Sequence, residues 1–408
     1  MFRHAADTLD GVIVSQVNPP GGASGDTTTP CRRDVVFTMF SASWAFAVWR
    51  GMIFPEDRLA QELLSSSRVR RLLIVNPWRS AAGRAAARLR GRDEAPFPRV
   101  EGAALHEPLR LTRRDPARPA RSVERYERSL RRAAERQGLE RPAIITGNPL
   151  VAGFGDFSWA GPVTFYAWDD WRASIPHRRW WPAYDEAFAN IRRRGHRVAA
   201  VSRPALERVA PTGPAAVVPN GLLPEEWAAT PPIAPDDATL RPRLLYIGSL
   251  DSRVDAAALE AVGRAFPAGT LTLIGNVLEP SHYEPLRALP NVAFRPWATR
   301  PEIVDAIMSA DACLIPHVEN DLTRAMSPLK LYEYLAGGRP VAATDLEPIR
   351  AVADGDRVTL VAPGGDFPSA VRRALRAGPQ PEAERRSFLV RNAWSARLDR
   401  LLDLALAG

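Results

Sequence analysis

"SPLKLYEYLAGGRPVAATD", residues 327 to 345, carries the densest local pattern in this chain. Ser327-Pro328 reads as a helix cap followed by proline at the first helical position, where a missing N–H costs little. "LKLYEYLA" then keeps a helical period, and Gly337-Gly338 ends it, because the residue after a last turn often takes a left-handed conformation. The next run, "RPVAAT" (339–344), is short, continuous and apolar, as in a strand buried on both faces. A helix feeding such a strand predicts a parallel sheet covered by helices. Lys330 is the only lysine in 408 residues, although Lys and Arg together number 54. Glu333 stands three residues on, on the same helical face. A surface ion pair there would tolerate arginine. A compact ammonium in a tight anion pocket would not, because a guanidinium has a different shape and hydration.

The same alternation runs outward in both directions. Strands are expected at 243–249, 270–276, 291–297, 311–317, 339–344 and 357–362. Helices are expected at 253–265, 301–309, 328–336, 346–353, 366–376 and 382–391, with a further amphipathic helix over 393–407. Toward the N-terminus, strands are expected at 34–40, 70–76, 142–146, 163–168, 197–202 and 215–220, and helices at 56–66, 121–138, 181–194 and 203–210. Residues 219–242 hold six prolines and weak periodicity, which suits a link between domains. The expected organisation is a flexible tail over 1–33, an N-terminal domain over 34–220, a linker over 221–242 and a C-terminal domain over 243–392. The last helix, 393–408, is expected to pack back toward the N-terminal domain. This is α/β architecture: two doubly wound Rossmann-like domains facing a cleft.

Composition narrows the classes. The chain is 46% hydrophobic and 25% charged, which is globular rather than disordered. The formal net charge is +8, and the excess is local. Between Arg68 and Arg141 stand 20 arginines against 9 acidic residues. That density suits a face that meets phosphates or acidic lipid, and a solvated arginine-rich face is the plain alternative. A nucleic-acid reading would rest on charge alone, since no basic motif interleaved with aromatics accompanies it. Cys31 and Cys313 make neither a disulfide framework nor a metal spacing, so a reducing compartment is expected. Met1 to Asn18 lacks the apolar core of a signal peptide. "DVVFTMFSASWAFAVW" (34–49) is shorter than the roughly 20 residues of a membrane span and reads as strand, turn and helix start. "NPPGGASGDTTTP" lacks the strand and helix a phosphate loop requires.

In doubly wound sheets, ligands sit beyond the carboxyl ends of the strands. "YIGSLDSRVD" (246–255) puts Gly248 and Ser249 at such an end, with Arg253 at the start of the following helix. "WDDW" (168–171) puts Asp169 and Asp170 at another, where carboxylates could bind sugar hydroxyls, act as a base or simply cap a helix. The "DGD" at 354–356 sits where a helix-to-strand turn is expected and reads as turn rather than metal site. His106, His177, His196, His282 and His317 show no ligand spacing. His317 follows a strand and so could touch a ligand.

The second half resembles the donor-nucleotide domain of GT-B fold glycosyltransferases, in the retaining group called glycosyltransferase family 4. The pieces that carry the resemblance stand in family order over about residues 197 to 404: "PNGLLPEEW", "LLYIGSLDSRVD", "TLTLIGN", "NVAFRPW", "IVDAIMSADACLIPH", "SPLKLYEYLAGGRPVAATD" and "NAWSARLDRLL". The first half is similar, more loosely, to bacterial cell-surface polysaccharide and teichuronic-acid-type transferases, through "VTFYAWDDW" and "RVAAVSRPALERVA". With the resemblance, the cysteine usage leads to the expectation of a cytoplasmic enzyme, and the arginine excess between Arg68 and Arg141 to that of peripheral contact at an anionic membrane. The resemblance implies that this enzyme moves a hexose from a nucleoside diphosphate to a glycan, a lipid-linked intermediate or a small aglycone.

It further implies that Glu333 binds the donor ribose and that Arg253 and Lys330 meet the diphosphate. Gly248, Ser249, His317, Ser327 and Leu329 would complete the donor site. Ser43, Asp169 and Asp170 would lie on the acceptor side, with Lys330, Arg253 and Asp170 as the catalytic groups. The family's first acid, eight residues before Glu333, is replaced by Ala325; Asn320 and Asp321 lie close by and could substitute for it. No metal and no cofactor are expected, the nucleotide sugar being a substrate. Two other readings keep the fold: a nucleotide-sugar 2-epimerase, and a degenerate, non-catalytic binding partner, to which Ala325 lends support.

Overall fold

The computed structural model describes residues 32–90, 95–110, 119–229, 239–296, 298–353 and 357–407. The expected tail up to Cys31, the middle of the expected linker (230–238) and the Asp-Gly-Asp turn at 354–356 lie outside the described residues.

Two wholly parallel sheets dominate. The first runs, in spatial order, Ala103–His106, Val69–Val75, Arg33–Thr38, Ala143–Thr146, Val163–Ala167, Arg197–Ala200 and Ala215–Val217. The second runs Val292–Arg295, Thr270–Ile274, Arg243–Ile247, Ala312–Ile315, Val341–Thr344 and Val358–Val361. In each, the first strand in sequence is central and the order reverses beside it. The switch points therefore lie between Arg33–Thr38 and Ala143–Thr146, and between Arg243–Ile247 and Ala312–Ile315. A further two-stranded pair joins Arg79–Ser80 to Leu109–Arg110.

Every expected strand is present, and one more edges the first sheet. "AALH" (103–106) lacks the β-branched run that would mark it. It is a strand because its backbone pairs in register with Val69–Val75, from Leu72 opposite Ala103 to Val75 opposite His106, and pairing overrides weak propensity.

Alternation along the strands feeds two faces. In the first sheet, Val35, Phe37, Leu72, Ile74 and Ile145 bury on one side, together with Leu398, Leu401 and Leu402 of the last helix, Trp394–Leu406. Val36, Leu73 and Ile144 bury on the other, against Tyr126 and Leu130 of the helix Pro119–Arg136. The second sheet divides likewise, with Leu245, Ile247 and Ile315 on one face and Leu244, Tyr246 and Leu314 on the other. The chain crosses between the sheets twice, side by side. The Leu222 amide donates to the Asn392 carbonyl at 3.0 Å, and the Trp394 amide returns a bond to the Leu222 carbonyl at 2.9 Å.

Candidate functional site

The helix Leu329–Ala336 starts just after a contact between the two halves, where Ser202 and Asn220 meet the chain at Ala325 and Ser327. Its start differs from expectation. Pro328 holds the cap position and no side chain caps the helix. Ser327 is drawn across to the first half instead, where its Oγ accepts the Asn220 amide at 3.2 Å and its carbonyl accepts Asn220 Nδ2 at 2.8 Å. The Leu331 amide bonds the Pro328 carbonyl at 2.9 Å. The amides of Leu329 and Lys330 have no acceptor among the described residues, so the helix presents donors where an anion would sit. Leu329 itself is half-buried.

Lys330 leaves this helix inward. Its Nζ donates to Tyr246 Oη at 2.9 Å, lies 3.3 Å from His317 Nε2, and rests 4.2 Å from the centre of the Tyr246 ring. It is not ion-paired with Glu333. Burial, with the Arg253 charge second, pulls the ammonium from 10.5 down to about 7. Both neighbours are held. Tyr246 Oη donates on to the Ser249 carbonyl at 3.1 Å. His317 is 4% exposed, and its Nδ1 is buried without a partner. Burial, then Lys330 and Arg253, holds the His317 imidazole neutral, well below its ordinary range.

Gly248 closes the floor of the site. Its φ is +141°, and an added Cβ would stand 2.8 Å from Lys330 Nζ. Only glycine lets the strand end pass under the ammonium. Ser249, beside it, is half-buried. Arg253 is drawn to Asp251 through Nε at 2.9 Å and Nη2 at 2.6 Å. That bond, ahead of burial, raises the guanidinium further. Nη1 has no partner among the described residues.

Glu333, one turn after Lys330, is 9% exposed. Burial pushes its carboxyl up, against the pull of Arg300. Its Oε1 accepts from Arg300 Nη1. Arg300 also grips Glu226 through Nε at 2.9 Å and Nη2 at 2.7 Å. Ala325, eight residues before Glu333, is 1% exposed, and its carbonyl accepts the Ser202 hydroxyl. Neither nearby polar residue takes over cleanly. Asn320 Oδ1 is spent capping Thr323 N at 3.0 Å, and Asp321 is exposed, 3.8 Å from Arg324.

Across the cleft, the two carboxylates of "WDDW" have separate parts. Asp170 is 4% exposed. Its Oδ2 accepts Arg208 Nε at 2.6 Å, and its Oδ1 accepts the amides of Arg172 and Ala173 at 3.1 and 3.2 Å. This differs from the catalytic part expected of it, because Arg208 of the helix Arg203–Val209 holds one oxygen and the amides of the turn hold the other. Asp169 is half-buried and takes only the Asp170 amide, at 2.8 Å. Burial lifts it to about 6, against the pull of the Arg253 charge from the other sheet. Ser43, 3% exposed, also serves the fold. It caps the helix Trp44–Trp49 and accepts Arg79 Nη1 at 3.0 Å.

The structure thus gathers Gly248, Ser249, Arg253, His317, Lys330 and Glu333 on one side and brings Asp169 within reach of Arg253's charge. Sequence reading missed Tyr246, Arg300 and Glu226. A tyrosine inside a buried strand was the available signal for the first, since its hydroxyl needs a partner. Nothing local links Arg300 to Glu333, 33 residues on. Among the described residues, no group of three or more His, Cys, Asp or Glu side chains could hold a metal ion.

Residues 241–377 match the family model of glycosyl transferases group 1. A Bacillus subtilis protein with the provisional name teichuronic acid biosynthesis glycosyltransferase TuaH is 29% identical over 135 residues, which is 32% of this chain and 34% of that protein. The chain therefore matches about a third of the length of this curated relative. Among solved structures, sucrose-phosphate synthase from Thermosynechococcus elongatus is 14% identical, with a TM-score of 0.63 over 91% of this chain and 98% of its own. Anabaena Alr3699/HepE in complex with UDP is 12% identical, with a TM-score of 0.57 over 91% of this chain and 98% of its own. At these identities the likeness establishes the fold, which is GT-B.

Proposed function

We propose, from the premise that residues 241–377 are a glycosyl transferase group 1 domain, that the whole chain transfers a sugar from a nucleoside diphosphate to an acceptor held by the first sheet's half. The observation that carries this is the setting of the one lysine: an ammonium at a switch point, over Gly248, beside Tyr246, His317 and an uncapped helix start. Breaking a glycosyl–phosphate bond builds charge on the leaving diphosphate. Lys330, Arg253 and the free amides of Leu329 and Lys330 are placed to stabilise it. Glu333 is the partner for the ribose hydroxyls, and Asp169 orients the acceptor hydroxyl opposite. The neighbour solved with UDP makes uridine diphosphate the first donor nucleotide to try. Retention of configuration follows from the family resemblance and is read from the anomer of the product.

Binding of nucleoside diphosphates, followed by calorimetry and by the rise in melting temperature, tests the donor side. Glu333→Ala should weaken that binding by about 1–3 kcal/mol. Unchanged affinity in a folded variant would remove Glu333 from the site. The proposal includes metal independence. Turnover should survive chelation, and activity lost in EDTA and regained with Mg²⁺ would overturn it.

The proposal extends to a peripheral contact with anionic membrane through the helix Pro119–Arg136. Arg121, Arg125, Arg128, Arg132 and Arg136 are all exposed along it, while Tyr126, Leu130 and Ala133 bury the opposite face. Among the described residues no helix is long and apolar enough to cross a membrane.

A further inference from the structure

A cavity of about 260 Å3 lies at the other switch point, beyond the carboxyl ends of Arg33–Thr38 and Ala143–Thr146. Its walls are largely aromatic and aliphatic, with Phe40, Trp78, Tyr126, Leu150 and Trp180 among them. Four of the polar side chains in the wall bond to one another or to the backbone. Asn148 Oδ1 accepts the Leu150 amide at 2.9 Å, His177 Nδ1 lies 2.8 Å from Tyr184 Oη, and Tyr126 Oη donates to the Asn76 carbonyl at 3.1 Å. Arg110 adds a charge to the lining. The wall of the cavity packs directly on the turn that carries Asp169. Phe40 meets Trp171 edge-on at 4.9 Å, and Trp171 stands 4.9 Å from His177. Trp171 closes the "WDDW" turn that carries Asp169, the carboxylate that feels Arg253 across the cleft.

We infer that this cavity receives an apolar group of the acceptor, an aromatic ring or a short hydrocarbon stretch, and not one of its sugar rings. The inference rests on the glycosyl-transfer reading above. A sugar ring brings hydroxyls that need partners all round, and burying them against walls that are mostly aromatic and aliphatic strands most of them. An apolar group gains from the same walls by leaving water and by stacking on the rings. The volume lies just under the roughly 300 Å3 at which sites for whole small ligands begin, so the cavity takes one moiety while the hydroxyl to be glycosylated reaches out toward Asp169.

The test measures binding of glucose, 4-nitrophenyl β-glucoside and octyl β-glucoside to the full chain by calorimetry, with uridine diphosphate present. At least one glycoside should bind roughly tenfold tighter than glucose, the discrimination an apolar pocket gives. Preference for the nitrophenyl compound identifies an aromatic aglycone, and preference for the octyl compound a lipid end. Leu150→Trp, which fills the cavity, should abolish the gap, and Trp180→Ala should narrow it severalfold. In both variants the diphosphate's own stabilisation of the fold should be retained. Glucose binding as tightly as either glycoside in the wild type overturns the inference, whatever the variants do. So does a gap that survives both substitutions. If the wild type shows the gap yet binds no nucleoside diphosphate, the apolar pocket stands and the donor reading falls.

Discussion

Lys330 shows how a single residue's chemistry follows from what surrounds it. Burial and Arg253 hold its free-state value near 7. The bound diphosphate adds negative charge and must raise that value, so binding takes up a proton whenever the pH exceeds 7. The sign is therefore definite: affinity for a nucleoside diphosphate sugar should fall as pH rises from 7 to 9, by up to about tenfold per pH unit. Two of the groups nearest Lys330 keep their charge state across this window. Asp251 is held below its ordinary range despite its burial, by its bonds to Arg253, and His317 stays neutral throughout. Lys330→Met should bind weakly and with a flat profile. A wild-type profile equally flat between pH 7 and 9 would mean that the ammonium does not meet the diphosphate. Lys330→Arg keeps the charge but loses the compact head that fits over Gly248, so kcat/KM should drop while the melting temperature holds. The scarcity of lysine pointed to this position. Its contacts with Tyr246 and His317 come from a strand and a loop that no local pattern ties to it.

At the scale of elements, the helix Leu329–Ala336 is held at its far end by a residue that sequence reading passed over. Arg385, in the helix Glu382–Arg391, is 1% exposed. Its Nη1 donates to the carbonyls of Ala336 and Trp227 at 2.9 Å each, and its Nε bonds Glu382 at 2.7 Å. One guanidinium thus satisfies a helix terminus and fixes the short turn Pro224–Trp227 that carries Glu226. Arg385→Leu strands those two carbonyls and should cost about 2–5 kcal/mol, at roughly 1–3 kcal/mol for each buried acceptor left unpaired. Denaturant unfolding measures it. A midpoint within error of the wild type would show that the network carries no stability. The same helix shows how far a cap rule reaches: Ser-Pro marked the start correctly to within a residue, but Ser327 turned to Asn220, because a partner from the other half outcompeted the local bond.

At the scale of the whole molecule, the arginine excess is divided: Arg110 lines the apolar cavity, while the arginines along Pro119–Arg136 are exposed. The exposed arginines of Pro119–Arg136 lie over the outer face of the first sheet, where Tyr126 and Leu130 anchor the helix. Binding to vesicles should require anionic lipid and weaken as salt rises, since screening shortens the reach of each charge. Replacing Arg125, Arg132 and Arg136 by glutamine should remove most of it without changing nucleotide affinity. No binding to anionic vesicles at physiological salt would leave the stripe as solvated surface. Alternation of short apolar runs with amphipathic stretches was enough to identify twelve parallel strands and most of their covering helices, because period and burial are local properties of the chain; it passed over the short helices Ala81–Leu89 and Pro149–Phe154. It also placed Gly248, Asp169 and Lys330 at strand or helix ends, where doubly wound sheets bind ligands. Only the tertiary structure decided which of two adjacent aspartates stays open, that Arg300 claims Glu333, and that Ala103–His106 is a strand. Each of these depends on a partner tens of residues away, and a hydrogen bond or a buried charge is settled by distance in space rather than by spacing along the chain.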